Sequence, residues 1–277
     1  MRNTKLVLTL IGIQTCLVTT SSAKPPTGDT YVSTGAGDVR IYTAPNTYTT
    51  YATGLNSPGG VAIDRKGIIY VAEIGSNRVL RYTAPNTYTV YGTMPSPNSF
   101  AIDGCGNIFV NSIEGGEVRM YKAANTYTVY ASGLVRPVSV TLNNDQQLVV
   151  AESNDDVNGA IKVYSAPNVF TTFASGLPRL RAISYDSQGT LFAVDNGNPG
   201  VVKAFTAANT YTTYASGLAS PYGAYVSPSD VVFVADVSTI KTYSEPNVPT
   251  LFADGLFYPG SISWEVQFKK NKDCKDR

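Results

Sequence analysis

The sequence predicts an all-β fold, a six-bladed β-propeller with four antiparallel strands in each blade. A unit that first reads Tyr42-Thr-Ala-Pro-Asn46 returns at intervals of 38 to 43 residues, starting at Tyr82, Tyr121, Tyr164, Phe205 and Tyr243. That interval is about the length of one propeller blade. The repeats are rich in β-branched and aromatic residues, which favour strands over helices.

The blade that starts at Pro58 shows the four predicted strands in order. Its four apolar or alternating runs cover residues 59–64, 68–73, 78–83 and 87–91, and turns separate them. In the last turn, Pro85 presets φ and Asn86 tolerates the tight position that follows. The same order of runs and turns follows residues 97, 137, 180 and 221.

The sixth blade is divided between the two ends of the domain. Residues 259–265 supply only a first strand, and the three missing strands correspond to residues 30–33, 38–42 and 47–51. Together they complete the blade and close the ring, which removes exposed sheet edges. An open solenoid is the alternative, but it would not leave complementary halves at the two ends.

The first 23 residues have the pattern of a secretory signal peptide. A basic start is followed by a mainly apolar run, Leu6 to Val18, and by the small residues Ser21-Ser-Ala23. The run is short for a membrane span, and a retained anchor is the alternative. We therefore expect a signal peptide at 1–23, a propeller at 24–265 and a basic tail at 266–277. The mature protein is expected to be secreted or periplasmic, with no stable membrane span.

Composition narrows the chemistry of the protein. The net charge of +1 argues against a nucleic-acid partner, which requires a concentrated basic surface. Histidine is absent. This excludes Ser-His-Asp and Cys-His nucleophiles and removes the commonest ligand of transition metals. Any reaction would have to use carboxylates, tyrosine, lysine or an oxygen-ligated ion.

Three segments of the first complete blade carry a resemblance to a known family. They read Pro58-Gly-Gly-Val-Ala-Ile-Asp64, Ile69-Tyr-Val-Ala-Glu73 and Asn77-Arg-Val-Leu-Arg-Tyr82. The formula resembles the NHL-repeat six-bladed propellers and, more distantly, the SMP-30/gluconolactonase-like group, over nearly all of residues 30–265. The resemblance implies an architecture rather than an activity, since such propellers include enzymes, receptors and scaffolds.

The resemblance also directs attention to the mouth of the central channel. Lactonases of the SMP-30 type hold a divalent cation there with Glu, Asn and Asp side chains. The equivalent positions of this sequence hold Gly59, Asn98, Val138, Arg181, Tyr222 and Gly260. One amide beside a guanidinium does not make a hard-cation site, which needs several oxygen ligands. We therefore assign no catalytic residues and expect Asn98, Arg181 and Tyr222 to bind a ligand.

A second ring of polar residues stands where the second strand of each blade ends. Its members are Ser33, Glu73, Ser112, Glu152, Asp195 and Asp236. Strand direction places them on the same face as the mouth, where the four carboxylates could bind a cation or a basic partner. In the alternative interpretation, each acid caps its own loop by accepting backbone N–H bonds.

The longest insertion contains half of a calcium-loop pattern. Asn154, Asp156 and Asn158 have the spacing of the first oxygen ligands, followed by Gly159. The twelfth position, where such a loop needs a bidentate glutamate, holds Ser165. A plain polar surface loop is the alternative, so we expect no cofactor and treat calcium as the ion to test.

The outermost strands repeat pairs of aromatic residues. The pairs are Tyr48/Tyr51, Tyr88/Tyr91, Tyr127/Tyr130, Phe170/Phe173 and Tyr211/Tyr214. Aromatic rings around a ring-shaped protein could stack on sugars and give a multivalent lectin. However, spacing of three residues places the two members on opposite faces of a strand, so at least one of each pair is expected to pack in the core.

Two cysteines remain after signal cleavage. Cys105 lies in the turn after an innermost strand, and Cys274 lies nine residues beyond Glu265, at the end of another. Nine extended residues reach about 30 Å, enough to cross one face of the ring. Because export permits oxidation, we expect a Cys105–Cys274 disulfide, and two free thiols are the alternative.

Together these features predict a secreted propeller that acts as a binding or interaction module. The partner would be an extracellular protein, a glycan or a small ligand. Two other functions stay open: an ion-dependent lactonase-like hydrolase and a carbohydrate-binding propeller that uses the outer aromatics.

Overall fold

A computed structural model describes residues 28–153 and 158–264 of the chain. The chain begins with β1 (Thr30–Thr34), β2 (Asp38–Ala44) and β3 (Thr47–Ala52). Blade 1 then comprises β4 (Pro58–Ile63), β5 (Ile69–Glu73), β6 (Arg78–Ala84) and β7 (Thr87–Thr93), with a short 3-10 turn at Ile74–Ser76. Blade 2 comprises β8 (Pro97–Ile102), β9 (Ile108–Ser112), β10 (Glu117–Ala123) and β11 (Thr126–Ala131).

The remaining blades repeat this arrangement. Blade 3 comprises β12 (Pro137–Leu142), β13 (Leu148–Glu152), β14 (Gly159–Ala166) and β15 (Val169–Leu177). Blade 4 comprises β16 (Leu180–Tyr185), β17 (Leu191–Asp195), β18 (Gly200–Ala207) and β19 (Thr210–Leu218). Blade 5 comprises β20 (Pro221–Val226), β21 (Val232–Asp236), β22 (Thr239–Tyr243) and β23 (Pro249–Ala253).

Blade 6 closes the ring as predicted. β24 (Pro259–Trp264) pairs with β1, and the sheet continues through β2 to β3. Val32 lies opposite Ile262 on one side and Arg40 on the other, in antiparallel register. The innermost strand of every blade contacts the innermost strands of both neighbours, including β24 with β4 and with β20. The ring is therefore closed, and the open-solenoid alternative is wrong.

A hydrophobic core lies between each pair of neighbouring blades. Val71 packs in the core between blades 6 and 1, whereas its neighbour Tyr70 packs in the core between blades 1 and 2. The alternation along a strand explains this, because successive side chains point to opposite faces of a sheet. β5 is buried along its whole length, since both of its faces are covered.

Small residues let the innermost strands approach one another closely. A Cβ atom at Gly60 would lie 2.5 Å from the carbonyl oxygen of Asn98, on the next innermost strand. A Cβ atom at Gly223 would lie 2.7 Å from the carbonyl oxygen of Gly260. Both distances are shorter than any ordinary contact, so a side chain at either position would push neighbouring blades apart.

The asparagine of each repeated turn joins its blade to the preceding one. Asn86 has a φ of 53°, in the left-handed region that asparagine tolerates, and its N–H donates to the carbonyl oxygen of Tyr51 at 3.1 Å. Its side-chain oxygen accepts the Thr53 N–H at 2.9 Å. The same backbone bond forms at Asn46, Asn125, Asn168, Asn209 and Asn247. We call these six bonds the asparagine clasps.

One clasp also helps to close the ring. Asn46 of blade 6 donates to the carbonyl oxygen of Phe252 of blade 5 at 2.9 Å, and its side chain accepts the Asp254 N–H at 2.9 Å. The sequence pattern predicts only the role of this asparagine in the turn. Its second partner lies in another blade, which a reading of one repeat does not reveal.

The predicted signal peptide at 1–23 and basic tail at 266–277 lie outside the described residues, so both stay predictions. Within 28–153 and 158–264, no helix is long and apolar enough to cross a membrane.

Candidate ligand site at the mouth of the central cavity

The innermost strands of the six blades surround a central cavity of about 770 Å³. Its walls include the apolar side chains Ile63, Ile102 and Leu142. Its mouth lies on the face where each innermost strand begins, beside Asn98, Arg181 and Tyr222. This volume falls in the range of 300–1,000 Å³ that is usual for small-molecule sites.

The structure brings Arg181 and Tyr222 together at this mouth. The guanidinium carbon of Arg181 lies 5.5 Å from the centroid of the Tyr222 ring, a cation–π arrangement, and Tyr222 is 39% exposed. The Nε–H of Arg181 is buried and has no hydrogen-bond partner among the described residues. An unpaired buried donor costs about 1–3 kcal/mol, so an acceptor delivered by a ligand would recover that energy.

Asn98 lines the same cavity two blades away from Arg181. Its amide nitrogen donates to the carbonyl oxygen of Val138 and so links the innermost strands of blades 2 and 3. A Cβ atom at Gly59 would lie 2.9 Å from both the backbone and the side-chain oxygen of Asn98, which explains why the mouth position of blade 1 is glycine. Asn98 is thus fixed in place before any ligand binds.

The four predicted carboxylates are buried, and each accepts at least one backbone N–H bond from a loop. Glu73 accepts from Asn56 at 2.8 Å and Glu152 from Val135 at 3.1 Å. Asp195 accepts from Gly197 at 3.0 Å, and Asp236 accepts from Ala219 at 3.0 Å and from Ser220 at 2.8 Å. These are the backbone N–H bonds that the loop-capping interpretation predicts.

Each of these carboxylates also forms an ion pair within its own blade. Glu73 pairs with Arg78, Glu152 with Lys162 at 2.7 Å, Asp195 with Lys203 at 2.6 Å, and Asp236 with Lys241 at 3.0 Å. Burial opposes ionisation of Glu73, but the bonds from Arg78 and from the Asn56 N–H outweigh it and hold the pKa of Glu73 below its usual value. The carboxylates are therefore occupied by contacts that hold the loops of this face.

The two serines of the same ring have a related role. The Ser33 hydroxyl donates to the carbonyl oxygen of Gly59, and the Ser112 hydroxyl donates to that of Pro95. In these two blades the ion pair is formed from the third strand alone, by Asp38 with Arg40 and by Glu117 with Arg119. Every blade thus carries an acid–base pair at this face, a regularity that is hidden in the sequence because the spacing of the pair varies.

The predicted calcium ligands fall only partly within the described residues. Asn154 and Asp156 lie outside them, and Asn158 is exposed just before β14. Within the part of the chain that the structure describes, no group of three or more His, Cys, Asp or Glu residues is placed to hold a metal ion. Calcium binding at this insertion stays a prediction.

The outer aromatic pairs divide between surface and core. The first members are 43–45% exposed, namely Tyr48, Tyr88, Tyr127, Phe170 and Tyr211. The second members pack against the cores between blades, namely Tyr51, Tyr91, Tyr130, Phe173 and Tyr214. The expected core role of one member is confirmed. The exposed rings already contact a cation, as when Arg40 lies 4.5 Å from the Tyr48 centroid.

Cys105 lies in the turn after β8, where its N–H donates to the Asp103 carboxylate at 2.8 Å. Cys274 lies outside the described residues. The Cys105–Cys274 disulfide therefore stays a prediction.

The closed ring and its ligand-sized cavity define the class of this protein, a six-bladed β-propeller. Solved structures of that class are similar to it in fold. A gluconolactonase from Xanthomonas campestris matches with a TM-score of 0.67 and 10% identity, over 86% of this chain and 88% of that one. A streptogramin B lyase matches with a TM-score of 0.62 and 15% identity, over 86% and 88% of the two chains.

A third similar structure is the PQQ-bound aldose sugar dehydrogenase from Streptomyces coelicolor, with a TM-score of 0.61 and 15% identity over 83% of this chain and 86% of that one. No protein-family model and no curated protein sequence matches the chain. At these identities the likeness establishes the fold, and it confirms the predicted resemblance to gluconolactonase-like propellers at that level.

Proposed function

We propose that this protein is an exported recognition propeller that binds a small organic molecule at the mouth of its central cavity. Arg181 would donate hydrogen bonds to the ligand, Tyr222 would stack against it, and Asn98 would line the opposite side. The observation that supports the proposal is the buried Nε–H of Arg181, which has no acceptor within residues 28–153 and 158–264 and belongs to a residue that lines a cavity of about 770 Å³.

A screen of small molecules by thermal shift tests this proposal. The panel would contain organic carboxylates, sugars, lactones and aromatic amines. We expect at least one class to raise the unfolding midpoint of the wild type, because a ligand that binds only the folded state stabilises it. Tyr222→Ala and Arg181→Met should each remove the shift.

The matched control is Lys66→Met, which also removes one positive charge. Lys66 is exposed in the turn at the other end of the innermost strand of blade 1. This variant should keep the full shift. A stabilising ligand whose effect survives both Tyr222→Ala and Arg181→Met would place binding elsewhere and contradict the proposal, as would the absence of any stabilising compound.

Export is a separate part of the proposal and depends on the signal-peptide pattern and on the two cysteines of the mature chain. Mass spectrometry of the protein expressed with its own N-terminus tests both points. The expected product begins near Lys24 and is two hydrogen masses lighter than the reduced chain. An uncleaved product would contradict export, and two alkylatable thiols in the unreduced, unfolded protein would contradict the bridge.

Lactone hydrolysis is the second candidate, and the fold of the gluconolactonase from Xanthomonas campestris favours it. The mouth of the cavity does not fit the ion that such a mechanism needs. Among the six mouth positions only Asn98 offers a side-chain carbonyl oxygen and none offers a carboxylate, and Arg181 places a positive charge at the same mouth. Metal-dependent hydrolysis of a sugar lactone that Asn98→Ala abolishes would restore this candidate.

A further inference from the structure

A second, polar cavity of about 360 Å³ lies beside the mouth. Ser153 of blade 3, Arg179 and Asn196 of blade 4, and Ser220 of blade 5 contribute to its lining. Arg181 lines both this cavity, which we call the side pocket, and the central cavity. Arg181 is therefore part of the wall between the two cavities.

The lining of the side pocket favours a negatively charged group. Arg181 contributes a guanidinium group, and no carboxylate is among the described lining residues. Three buried acids lie next to these lining residues, and each pairs with a cation of its own blade: Glu152 with Lys162 at 2.7 Å, Asp195 with Lys203 at 2.6 Å, and Asp236 with Lys241 at 3.0 Å. Their charges are thus balanced within their blades and do not offset the positive charge of Arg181.

The hydrogen-bond donors of the side pocket are held in place. The Ser220 hydroxyl donates to the side-chain oxygen of Asn196 at 3.4 Å, and the Asn196 backbone N–H donates to the carbonyl oxygen of Arg179 at 3.0 Å. Because the amide oxygen of Asn196 is used as an acceptor, its NH₂ group remains to donate. The Nε–H of Arg181 is the second donor, and it has no partner in the part of the chain that the structure describes.

We propose that the side pocket binds the anionic group of an amphipathic organic molecule, a carboxylate or a phosphate, whose apolar body enters the central cavity. This inference rests on the proposed function, since it names the chemical class of the ligand at the same mouth. Arg181 would contact the anion from the shared wall, and Asn196 would donate from the far side. The apolar walls at Ile63, Ile102 and Leu142 would surround the hydrocarbon part.

Isothermal titration with four probes tests the inference: octanoate, octyl phosphate, 1-octanol and inorganic phosphate. At low salt we expect at least one of the two amphipathic anions to bind tenfold or more tightly than 1-octanol and than inorganic phosphate. The preference should fall as salt is added, because the ions screen the charge on the guanidinium.

Variants separate the side pocket from the central cavity. Asn196 lines the side pocket but not the central cavity. Asn196→Leu should therefore lower the affinity for the amphipathic anion without changing the affinity for 1-octanol. Asn196→Asp keeps the shape of the side chain but replaces its NH₂ donor by a negative charge, so it should also lower the affinity for the amphipathic anion. This variant is used if the leucine variant does not fold. Lys66→Met should leave all four affinities unchanged.

The outcomes distinguish failure of this inference from failure of the proposed function. Equal affinities for octanoate, octyl phosphate and 1-octanol, all weakened by Tyr222→Ala, would contradict anion binding in the side pocket. They would still support ligand binding at the mouth of the central cavity. If inorganic phosphate binds as tightly as octyl phosphate, the hydrocarbon chain contributes nothing to affinity, and the ligand is not an amphipathic molecule. Binding of none of the four probes would overturn this inference, whereas the proposed function is overturned only if the thermal-shift screen finds no stabilising compound.

Discussion

At the scale of single residues, the mouth of the cavity is distinguished by which polar groups are paired. The carboxylates of the face, such as Glu73, have backbone and cationic partners. Arg181, in contrast, has a buried donor that no described residue satisfies. Buried polar groups are normally paired, so an exception beside a cavity is a reason to look for a ligand.

Glu73 provides a prediction about pH at this scale. Its pKa is lower in the folded protein than in the unfolded chain, so its contribution to stability is complete above the unfolded pKa of about 4.3 and is lost as the pH falls through the folded pKa. We expect Glu73→Gln to lower the free energy of unfolding by about 2 kcal/mol at pH 7. The difference from the wild type should shrink below about pH 4.

Urea unfolding of both proteins between pH 3 and pH 8 measures this difference. Glu245→Gln is the matched control, because Glu245 is exposed on the loop before β23. A Glu73→Gln effect that stays constant across the whole pH range would show that the ion pair with Arg78 is not its cause.

At the scale of elements, the repeated turn has two separate roles. It reverses the chain between the third and fourth strands, and its asparagine forms the clasp with the preceding blade. The left-handed conformation points the asparagine N–H at the neighbouring strand, so turn geometry and contact between blades depend on the same residue.

Replacement of Asn86 separates these two contributions. Asn86→Gly keeps access to the positive φ but loses the side-chain bond to Thr53, and we expect a loss of about 1 kcal/mol. Asn86→Ala also loses that bond, and it keeps a Cβ atom in the left-handed region without the polar side chain that lets asparagine adopt it, so we expect it to cost about 1–2 kcal/mol more than glycine. Chemical denaturation of the two variants measures both values. Equal losses for glycine and alanine would show that the backbone conformation contributes nothing.

The strands and turns are also the part of the structure that the sequence predicted best. The repeat predicted the strands, the order within each blade and the closure by β24, because turn residues and alternation are local properties. The clasps and the ion pairs were not predicted. Asn86 contacts a residue 35 positions earlier in another blade, and the partner of Glu152 lies 10 positions later across an insertion. Such pairings become visible only when blades are placed side by side.

At the scale of the whole molecule, the ring brings six similar blades together around one mouth, where the blades contribute different side chains. The mouth positions differ from blade to blade, although the turns and clasps repeat. Sequence alignment of the blades identified Asn98, Arg181 and Tyr222 as mouth residues. It did not identify the side pocket, since Ser153, Asn196 and Ser220 come from loops of three different blades.

The central claim is that Arg181 contacts the ligand directly. Nuclear magnetic resonance of the Arg181 Nε–H, assigned by comparison with Arg181→Met, tests this claim during titration with the tightest-binding carboxylate of the screen. We expect this signal to move and to saturate at the same concentration as the heat of binding, because the buried donor gains an acceptor. An Arg181 signal that stays fixed while the ligand saturates would contradict the account.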